Sequence, residues 1–339
     1  MGNVTIYEIA RRAGVSPATV SFVLNNNSRV KPETRKRVQA VIDELQYTPN
    51  YIARSFSNKT TGTIGLILPN IENPIFSKMI SGVESCISEK NGNLILGISE
   101  MNAEKEYLYL NMLREKRVDG LLLFPTYIDK ALDYFKDLNA ARGDIPVVLC
   151  GSSGQQLNDI SFVKCDNHKG AFLATEHLIS CGRKRIAFID AVMAESQSVS
   201  RKKGYQDALA AHGLPLDKKL MRHCSQNSQD IFQSTMELLE EARPDAIFCL
   251  YDYMALIVMR AIYAKKFRIP EDIAVIGYDN IEIGEYLSSS LSSIDTHAKD
   301  VGYSATNLLL DKIENRHTEN RQIIVQPDLV IRESTAGVI

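Results

Sequence analysis

Apolar runs of strand length alternate with stretches of helical length along most of the chain after Thr60. The first half of this pattern is TIGLILP, a helix near 75–90, NLILGI, a helix near 103–116, DGLLLF, a helix near 129–141, and PVVLC. The alternation resumes with RIAFID, a helix near 200–212, DAIFCL, a helix near 253–266, and IAVIGYD. Near-continuous apolar strands separated by helices are typical of parallel sheets that are covered on both faces. The sequence therefore predicts an α/β core with two such sheets, each needing about 120–150 residues.

The first 48 residues follow a different pattern, that of three short helices. Thr5 and Glu8 form a T-x-x-E capping box at the start of the first helix, and Gly14 ends that helix. Ser16 is a favourable N-cap for the second helix, and Pro17 suits its first position, where a missing N–H is no loss. The third helix follows the Lys-Pro pair at 31–32, and its apolar stripe consists of Val38, Val41, Ile42 and Leu45.

The first two helices have the spacing of a helix-turn-helix. Ala10 is a small residue where the helices would cross, Gly14 would lie in the tight turn, and Val20 would hold the second helix on the first. The buried face of the second helix is predicted to be Val20, Val23 and Leu24. Phe22 lies on the opposite side, which the core of these helices cannot bury. The phenylalanine therefore contacts something else, and the polar side chains around it favour a DNA-reading face.

Charge is divided unequally along the chain. Residues 1–60 contain nine Lys or Arg against four Asp or Glu, which gives +5. Because the whole chain carries −2, residues 61–339 carry −7. A basic segment joined to an acidic body favours a polyanionic partner for that segment. Together with the helix-turn-helix spacing, this distribution predicts DNA binding.

Other classes of protein lack their sequence signatures here. No G-x-G-x-x-G, P-loop, H-E-x-x-H or G-x-S-x-G motif occurs, and the six histidines have no metal-ligand spacing, so no enzyme, metal site or cofactor is predicted. A secreted solute-binding protein would need an export signal in place of the basic segment. Neither such a signal nor a membrane-spanning run is found, so we expect a cytoplasmic protein. The six scattered cysteines are typical of reduced packing residues.

The segment VTIYEIARRAGVSPATVSFVLNNNSRVKPETRKRVQAVIDELQYTPNYIARSF resembles the head of the LacI/GalR family of bacterial transcriptional regulators. Further along, IGLILPNIENPIF, DNHKGAFLATEHLISCGRKRIAFI and EDIAVIGYDNIEIGEYLSSSLSSID resemble the start, middle and late crossing region of the family's regulatory core. The resemblance extends over the whole chain. It implies a two-lobed, periplasmic-binding-protein-like core in which the chain crosses between lobes near 162, 291 and 323.

On this basis we expect a sequence-specific DNA-binding regulator, a repressor, that works as a homodimer on a pseudo-palindromic operator. The expected domains are a helix-turn-helix head over 1–48, a hinge helix over 49–60, and an effector-binding and dimerisation core over 61–339. Lobe 1 would comprise 61–162 and 292–322, and lobe 2 would comprise 163–291 and 323–339. A ligand would act as corepressor if it favours the arrangement that keeps the hinges paired, and as inducer if it favours the other.

The expected DNA contacts fall in the head and the hinge. They are Thr5, Ser16, Pro17, Ala18, Thr19, Ser21, Phe22, Asn25, Thr34, Tyr47, Asn50, Ala53, Arg54 and Phe56. In the resembling family the position of Phe22 usually holds an arginine that reads guanine; phenylalanine instead favours the thymine methyl group. The alternative is that Phe22 packs against a neighbouring head or Tyr7. Phe56 holds the position of the family's minor-groove leucine and is expected to unstack a base step, unless it packs on the core as a linker aromatic.

The expected effector contacts partly match and partly depart from the family pattern. They are Asn70, Asn73, Phe76, Val199, Gln226, Tyr251, Asp252 and Asp279. Val199 replaces an arginine of sugar-responsive members, Gln226 an aromatic residue, and Tyr251 an asparagine, whereas Arg201 keeps a second arginine. A forked donor and a stacking ring are thereby lost, so we expect a sugar or a less polar, nucleoside-like ligand.

One alternative within regulation is a catabolite-control-like protein that answers to a phosphorylated carrier protein. Such a surface would need arginines on the late helix of lobe 1 to hold the phosphate. The stretch HAKDVGYSATNLLLDKI offers Lys299 and Lys312 but no arginine, and Asn307 lies where one would be expected.

Overall fold

The computed structural model describes residues 5–24, 29–47, 61–115, 118–126, 145–151, 160–191, 195–225, 227–315 and 319–336. The chain divides into two compact units, Met1–Thr61 and Gly62–Ile339, here called the head and the core. Within the described ranges, no helix is both long and apolar enough to cross a membrane.

The head contains the three predicted helices: α1 (Ile6–Ala13), α2 (Pro17–Leu24) and α3 (Pro32–Glu44). The Oγ1 atom of Thr5 accepts from the Glu8 amide at 3.4 Å, and Gly14 ends α1 in the left-handed region at φ 61°. The Oγ of Ser16 accepts from the Thr19 amide at 3.1 Å. One cluster holds the helices together, formed by Ile9, Ala10, Ala13, Val20, Val23, Val38 and Ile42.

The Glu8 carboxylate makes contacts beyond the predicted capping box. It accepts from Arg11 at 2.8 Å and from Arg12 at 3.2 Å, and these two hydrogen bonds lower the pKa of Glu8. Arg12 also reaches Glu44 on α3 at 3.1 Å. All these side chains are exposed, so the ion pairs add little to stability.

Two parallel sheets form the core. The first has the strand order β11-β5-β4-β3-β1-β2, with β1 (Thr63–Leu68), β2 (Asn93–Ile98), β3 (Gly120–Leu123), β4 (Val147–Cys150), β5 (Ser161–Cys165) and β11 (Gln322–Val325). The second has the order β7-β6-β8-β9, with β6 (Ile186–Ala191), β7 (Met221–Cys224), β8 (Ala246–Cys249) and β9 (Ala274–Ile276). A separate antiparallel ribbon pairs β10 (Ser293–Asp295) with β12 (Asp328–Val330).

Helices cover both sheets. Lobe 1 carries α4 (Pro74–Glu89), α5 (Ala103–Glu115) and α10 (Ala298–Glu314). Lobe 2 carries α6 (Asn167–Ser180), α7 (Glu195–Ala211), α8 (Ser228–Glu241), α9 (Asp252–Ala264) and α11 (Glu333–Ala336), with short 3₁₀ helices at Lys218–Leu220 and Glu282–Tyr286. Strands β1, β3, β6, β8 and β9 are buried at every position, as near-continuous apolar strands require, whereas the edge strands β2, β7 and β11 are mostly half-buried or exposed.

The crossings between lobes fall later than the sequence resemblance implied. Strands β5 and β11 pair with each other inside the first sheet from Phe162 to Cys165 and from Gln322 to Val325. The chain therefore leaves lobe 1 after Cys165 and after Val325, two to three residues beyond the expected crossings near 162 and 323. The third crossing, expected near 291, lies next to the β10–β12 ribbon. Backbone pairing defines these positions, and sequence motifs mark them only to within a few residues.

Candidate functional site

The second helix of the head exposes the face that the sequence predicts for DNA reading. Pro17 and Ala18 are exposed, Thr19 and Ser21 are half-buried, and Phe22 is 43% exposed. On the other side of the helix, Val20 and Val23 are buried in the head core, as the apolar spacing predicts.

The head also carries side-chain-capped helix N-termini and exposed basic side chains. Thr5 and Ser16 cap α1 and α2, and Thr34 lies in the first turn of α3. Unpaired backbone N–H groups at such ends favour anions, phosphate groups included. Basic exposed side chains in α3 and just before it are Lys31, Lys36 and Arg37. Tyr47 is half-buried and packs on the head core, and Tyr7 is 72% exposed.

A cleft lies where the carboxyl ends of the strands in the two lobes meet. Its lining comes from both lobes: Ile75, Phe76, Met79, Phe124, Gly151, Cys165, Ala298 and Val301 on one side, Asn167, Gln197, Arg201 and Asp279 on the other, and Thr296 at the crossing. Ligands of open parallel sheets bind at the carboxyl ends of the strands. The cleft is therefore the candidate ligand site.

Arg201 is the centre of the polar wall of the cleft. It is 3% exposed, and its guanidinium donates to Asn167 Oδ1 at 2.9 Å, to the Leu250 carbonyl at 2.5 Å and to Asp279 Oδ1 at 3.2 Å. Its Cζ also lies 3.6 Å from the centroid of the Tyr278 ring. Burial raises the pKa of Asp279, while Arg201 opposes that rise. The arginine thus holds the carboxylate and the amide in fixed positions.

The opposite wall is apolar. The rings of Phe76 and Phe124 meet edge to face with centroids 5.1 Å apart, and Met79 lies beside them in the lining. Gly151 follows β4 at φ 72°, and a Cβ atom there would lie 2.3 Å from the Phe124 ring. Only glycine gives both the backbone conformation and the space for that ring.

Three side chains join the two walls across the cleft. Lys78 of α4 donates to the Asn280 carbonyl at 2.5 Å, and Gln197 of α7 donates to the Gly151 carbonyl at 2.8 Å. The Asn73 side chain hydrogen-bonds the Asp279 carboxylate and, like Arg201, opposes the rise of the Asp279 pKa that burial causes. The lobes are therefore held together by hydrogen bonds as well as by the chain crossings.

Several predicted effector residues lie in or beside this cleft. Phe76 and Asp279 line it, and Asn73 contacts Asp279. Asn70 is half-buried, and its Oδ1 accepts from the Asn73 amide at 3.2 Å, so it shapes the turn before α4.

Other predicted effector residues are placed elsewhere. Val199 is 60% exposed, because it lies on α7 between the inward-facing Gln197 and Arg201. Tyr251 is buried in the core of lobe 2, where burial raises its pKa to about 12. Both carboxylate oxygens of Asp252 accept hydrogen bonds, from Ser293 Oγ at 2.7 Å and from the Ile281 amide at 2.7 Å. These three predicted residues are therefore not among the proposed ligand contacts.

Some predictions fall on parts of the chain that the structure does not describe. Asn25, Asn50, Ala53, Arg54, Phe56, Gln226 and the helix near 129–141 lie outside the described residues.

The structure also brings into the cleft residues that the sequence analysis missed. The main ones are Asn167, Gln197, Thr296 and Phe124. Gln197 lies four positions before Arg201, so helical spacing from that arginine could have identified it. Phe124 and Asn167 follow β3 and β5 closely, and position at a strand's carboxyl end was the available signal. For Thr296 no local pattern pointed to the cleft.

Comparison with protein families agrees with both units of the chain. Residues 5–50 match the family described as bacterial regulatory proteins, lacI family. Residues 61–333 match the family described as periplasmic binding proteins and sugar binding domain of LacI family.

Individual relatives are similar over almost the whole chain. The HTH-type transcriptional repressor PurR of Vibrio atlanticus (strain LGP32) is 36% identical over 97% of this chain and 98% of its own. Catabolite control protein A of Priestia megaterium is 35% identical over 98% of this chain and 99% of its own. Among solved structures, the lac repressor dimer bound to operator and the anti-inducer ONPF has a TM-score of 0.87 and 26% identity, over 98% of this chain and 99% of that one. With its helix-turn-helix head and two-lobed core, the chain belongs to the LacI family of bacterial transcriptional regulators.

Proposed function

We propose that the protein represses transcription as a cytoplasmic homodimer on a pseudo-palindromic operator, and that a small molecule bound in the cleft modulates this binding. The observation that carries the proposal is the presence on one chain of a head with an exposed second helix and a core with a two-walled cleft. A ligand that has different affinities for two arrangements of the core shifts the balance between them. The segment that connects the core to the head would transmit this change to the head and so alter operator binding.

The DNA contacts proposed are those of the head and the connecting segment. Phosphates are bound by the ends of the three helices and by Thr5, Ser16, Thr34 and Tyr47, and bases are read by the α2 face that carries Ala18 and Phe22. Phe56 remains proposed as the side chain that opens a base step in the minor groove.

Both lobes carry exposed apolar side chains. In lobe 1 they include Ile71, Leu96 and Leu108, which are 60%, 42% and 64% exposed. In lobe 2 they include Tyr253, Ile283 and Tyr286, which are 49%, 52% and 73% exposed. Exposed apolar side chains mark an association surface only where they form a contiguous patch, so the homodimer is proposed from the similarity to the lac repressor dimer. Two identical heads then read two half-sites related by the symmetry of the dimer.

A second candidate, control by a phosphorylated carrier protein, has the similarity to catabolite control protein A in its favour. The surface of α10 that would hold the phosphate offers no further support for this candidate. Lys312 donates to Asn320, and burial lowers its pKa, while the nearby Arg321 is paired with Asp311 at 2.5 Å. The small-molecule proposal is therefore preferred.

Selection of binding sites from random DNA, followed by titration at several salt concentrations, tests the main proposal. We expect the selected site to be a pseudo-palindrome and to bind at least about 10³-fold more tightly than random DNA. Affinity should fall steeply with salt, because the basic head releases counterions from phosphates. A preference below about a hundredfold, or selected sites without two-fold symmetry, would contradict the proposal.

A further inference from the structure

Thr296 lies where the chain crosses between the lobes, and it lines the cleft. The residue is 6% exposed, and its Oγ1 atom is buried without a hydrogen-bond partner among the described residues. A buried hydroxyl costs free energy unless it meets a protein group, a water molecule or a ligand. Its place in the cleft lining makes a polar atom of the ligand a suitable partner.

Arg201, by contrast, has its hydrogen-bonding nitrogens engaged inside lobe 2. Its Nε, Nη1 and Nη2 donate to Asn167, the Leu250 carbonyl and Asp279, and Tyr278 covers one face of the guanidinium. A ligand anion would have to compete with the Asp279 carboxylate for this cation. Arg201 therefore acts as a positioning residue that holds Asn167 and Asp279, and it is not an open anion site.

The charges of the cleft discriminate against phosphorylated ligands. Within the described lining, Arg201 is the one cation, and Asp279 balances it. Lys78 is not part of the lining, and its ammonium donates to the Asn280 carbonyl. A phosphate in this cleft would lose its hydration, and the cation of the described lining is already balanced by Asp279, so a phosphorylated ligand is disfavoured.

The side chains of the two walls indicate the remaining chemistry of the ligand. Phe76, Phe124 and Met79 offer an apolar surface, whereas Thr296, Asn167 and Gln197 offer hydrogen-bonding groups. We propose that Thr296 is a direct ligand contact and that the ligand is an uncharged ring compound, with an apolar face against Phe76 and Phe124 and a polar edge towards Thr296. This inference rests on the proposed function, since it concerns the ligand of the same cleft.

Thermal stability of the full-length protein, measured with matched pairs of compounds, tests the charge. The pairs are adenosine, guanosine and uridine with their 5′-monophosphates, and methyl β-glucoside and cellobiose against glucose 6-phosphate. We expect at least one uncharged compound to raise the melting temperature, with its phosphorylated counterpart binding at least tenfold more weakly. A phosphorylated compound that binds as well or better would overturn the inference, and so would a failure of every uncharged compound to bind.

Thr296→Val tests the contact, with Thr306→Val as matched control. Thr306 is fully buried, and its hydroxyl donates to the Gly302 carbonyl within α10, away from the cleft lining. We expect Thr296→Val to weaken binding of the stabilising compound by about five- to tenfold, and Thr306→Val to leave that affinity unchanged. Equal affinities for Thr296→Val and the wild type would overturn the proposed contact. Operator binding by the same preparations, measured with and without the compounds, separates the two levels: its absence from the wild type under both conditions contradicts the proposed function, whereas its presence under either condition restricts a failure to the ligand inference.

Discussion

Asp252 and Asp279 are both buried carboxylates of lobe 2, yet their contacts give them different roles. Asp279 faces the cleft and shares the Arg201 guanidinium. Asp252 accepts from the Ile281 amide and from Ser293, so it fixes the turn that carries Asp279. A Cβ atom on Gly277 would lie 1.9 Å from Asp252 Oδ1, which shows how closely the backbone packs on this side chain. The sequence identified both residues as site candidates, but only burial and partners distinguish them.

The environment of Asp252 predicts a dependence of stability on pH. Burial, with a smaller contribution from Asp279, raises the pKa of Asp252 to about 8. Because this folded-state pKa lies above the unfolded value of about 3.9, the stabilisation is fully present below about pH 4 and is lost as pH rises through about 8. We expect the melting temperature to fall between pH 5 and pH 8, at a cost of up to about 1.4 kcal/mol per pH unit, and to level off above the folded-state pKa.

Asp252→Asn is the variant that tests this assignment. Its amide can accept from the Ile281 N–H and donate to Ser293 Oγ, so the turn is retained while the titrating group is removed. The variant should show a clearly smaller decrease in melting temperature over the same pH range. If wild type and variant lose stability in parallel, Asp252 is not the group responsible.

Phe22 gives the sharpest prediction for DNA recognition. It is 43% exposed on the α2 face opposite the buried Val20 and Val23, so the head core does not bury it. An exposed phenylalanine in a major groove favours the thymine methyl group, and Phe22→Arg would instead favour guanine. Site selection with both proteins should show a change towards G·C at one symmetric base pair, worth roughly 1–3 kcal/mol, with the other positions nearly unchanged. If both proteins select the same base there, Phe22 packs against protein and reads nothing.

At the scale of elements, the sequence predicted best those segments whose burial is uniform. Strands such as β1 and β8 are buried at every position and appear in the sequence as continuous apolar runs. Strands β5, β7 and β11 were missed: the half-buried Lys164 interrupts β5, and β7 and β11 lie at sheet edges and are mostly half-buried or exposed. Strand β2 also lies at an edge but was predicted, because its sequence NLILGI is mostly apolar. Helix α7 begins at Glu195, before the start predicted near 200. The prediction was late because the polar first turn contains no apolar pattern that would mark it as helical. Edge position is a property of the sheet, which local patterns do not contain.

Close helix packing in lobe 1 depends on glycine. A Cβ atom on Gly82 of α4 would lie 1.9 Å from the Lys299 carbonyl oxygen of α10, and one on Gly302 would lie 2.3 Å from the Met79 carbonyl oxygen. The two helices therefore touch backbone to backbone, and α4 carries Phe76 and Lys78 into the cleft region. Because the neighbour is backbone, it cannot move aside as a flexible side chain can.

Gly82→Ala should therefore destabilise the core, although alanine is the better helix former. We expect a loss of about 1–3 kcal/mol or more from the forced separation of α4 and α10. Ser81→Ala, an exposed neighbour on the same helix, serves as control and should change stability by less than about 0.5 kcal/mol. Chemical denaturation of the three proteins measures both values. Similar midpoints for Gly82→Ala and Ser81→Ala would mean that the helices can separate without cost.

At the scale of the whole molecule, regulation requires the core to have two arrangements of similar free energy. The lobes are joined by three chain crossings and by the hydrogen bonds of Lys78, Gln197 and Asn73 across the cleft. The overall fold could be predicted because strand and helix alternation extends along the chain. The cross-cleft bonds could not, since they join positions far apart in sequence, such as Lys78 and Asn280.

Lys78→Met tests whether these bonds set the balance between the two arrangements. Methionine keeps most of the side-chain volume but cannot donate to the Asn280 carbonyl, and a typical hydrogen bond contributes about 1 kcal/mol. The arrangement in which Lys78 bonds Asn280 should become about fivefold less populated relative to one in which the lobes are further apart. Small-angle scattering should then give a larger radius of gyration for the variant, and operator affinity in the absence of ligand should change by a similar factor. Lys90→Met, just after the end of α4, is the control, because the exposed Lys90 ammonium lies 3.9 Å from the exposed Glu314 carboxylate of lobe 1 and so does not join the two lobes. If both variants match the wild type in scattering and in operator affinity, the hydrogen bond of Lys78 does not contribute to the balance, and the chain crossings alone determine how the lobes are arranged.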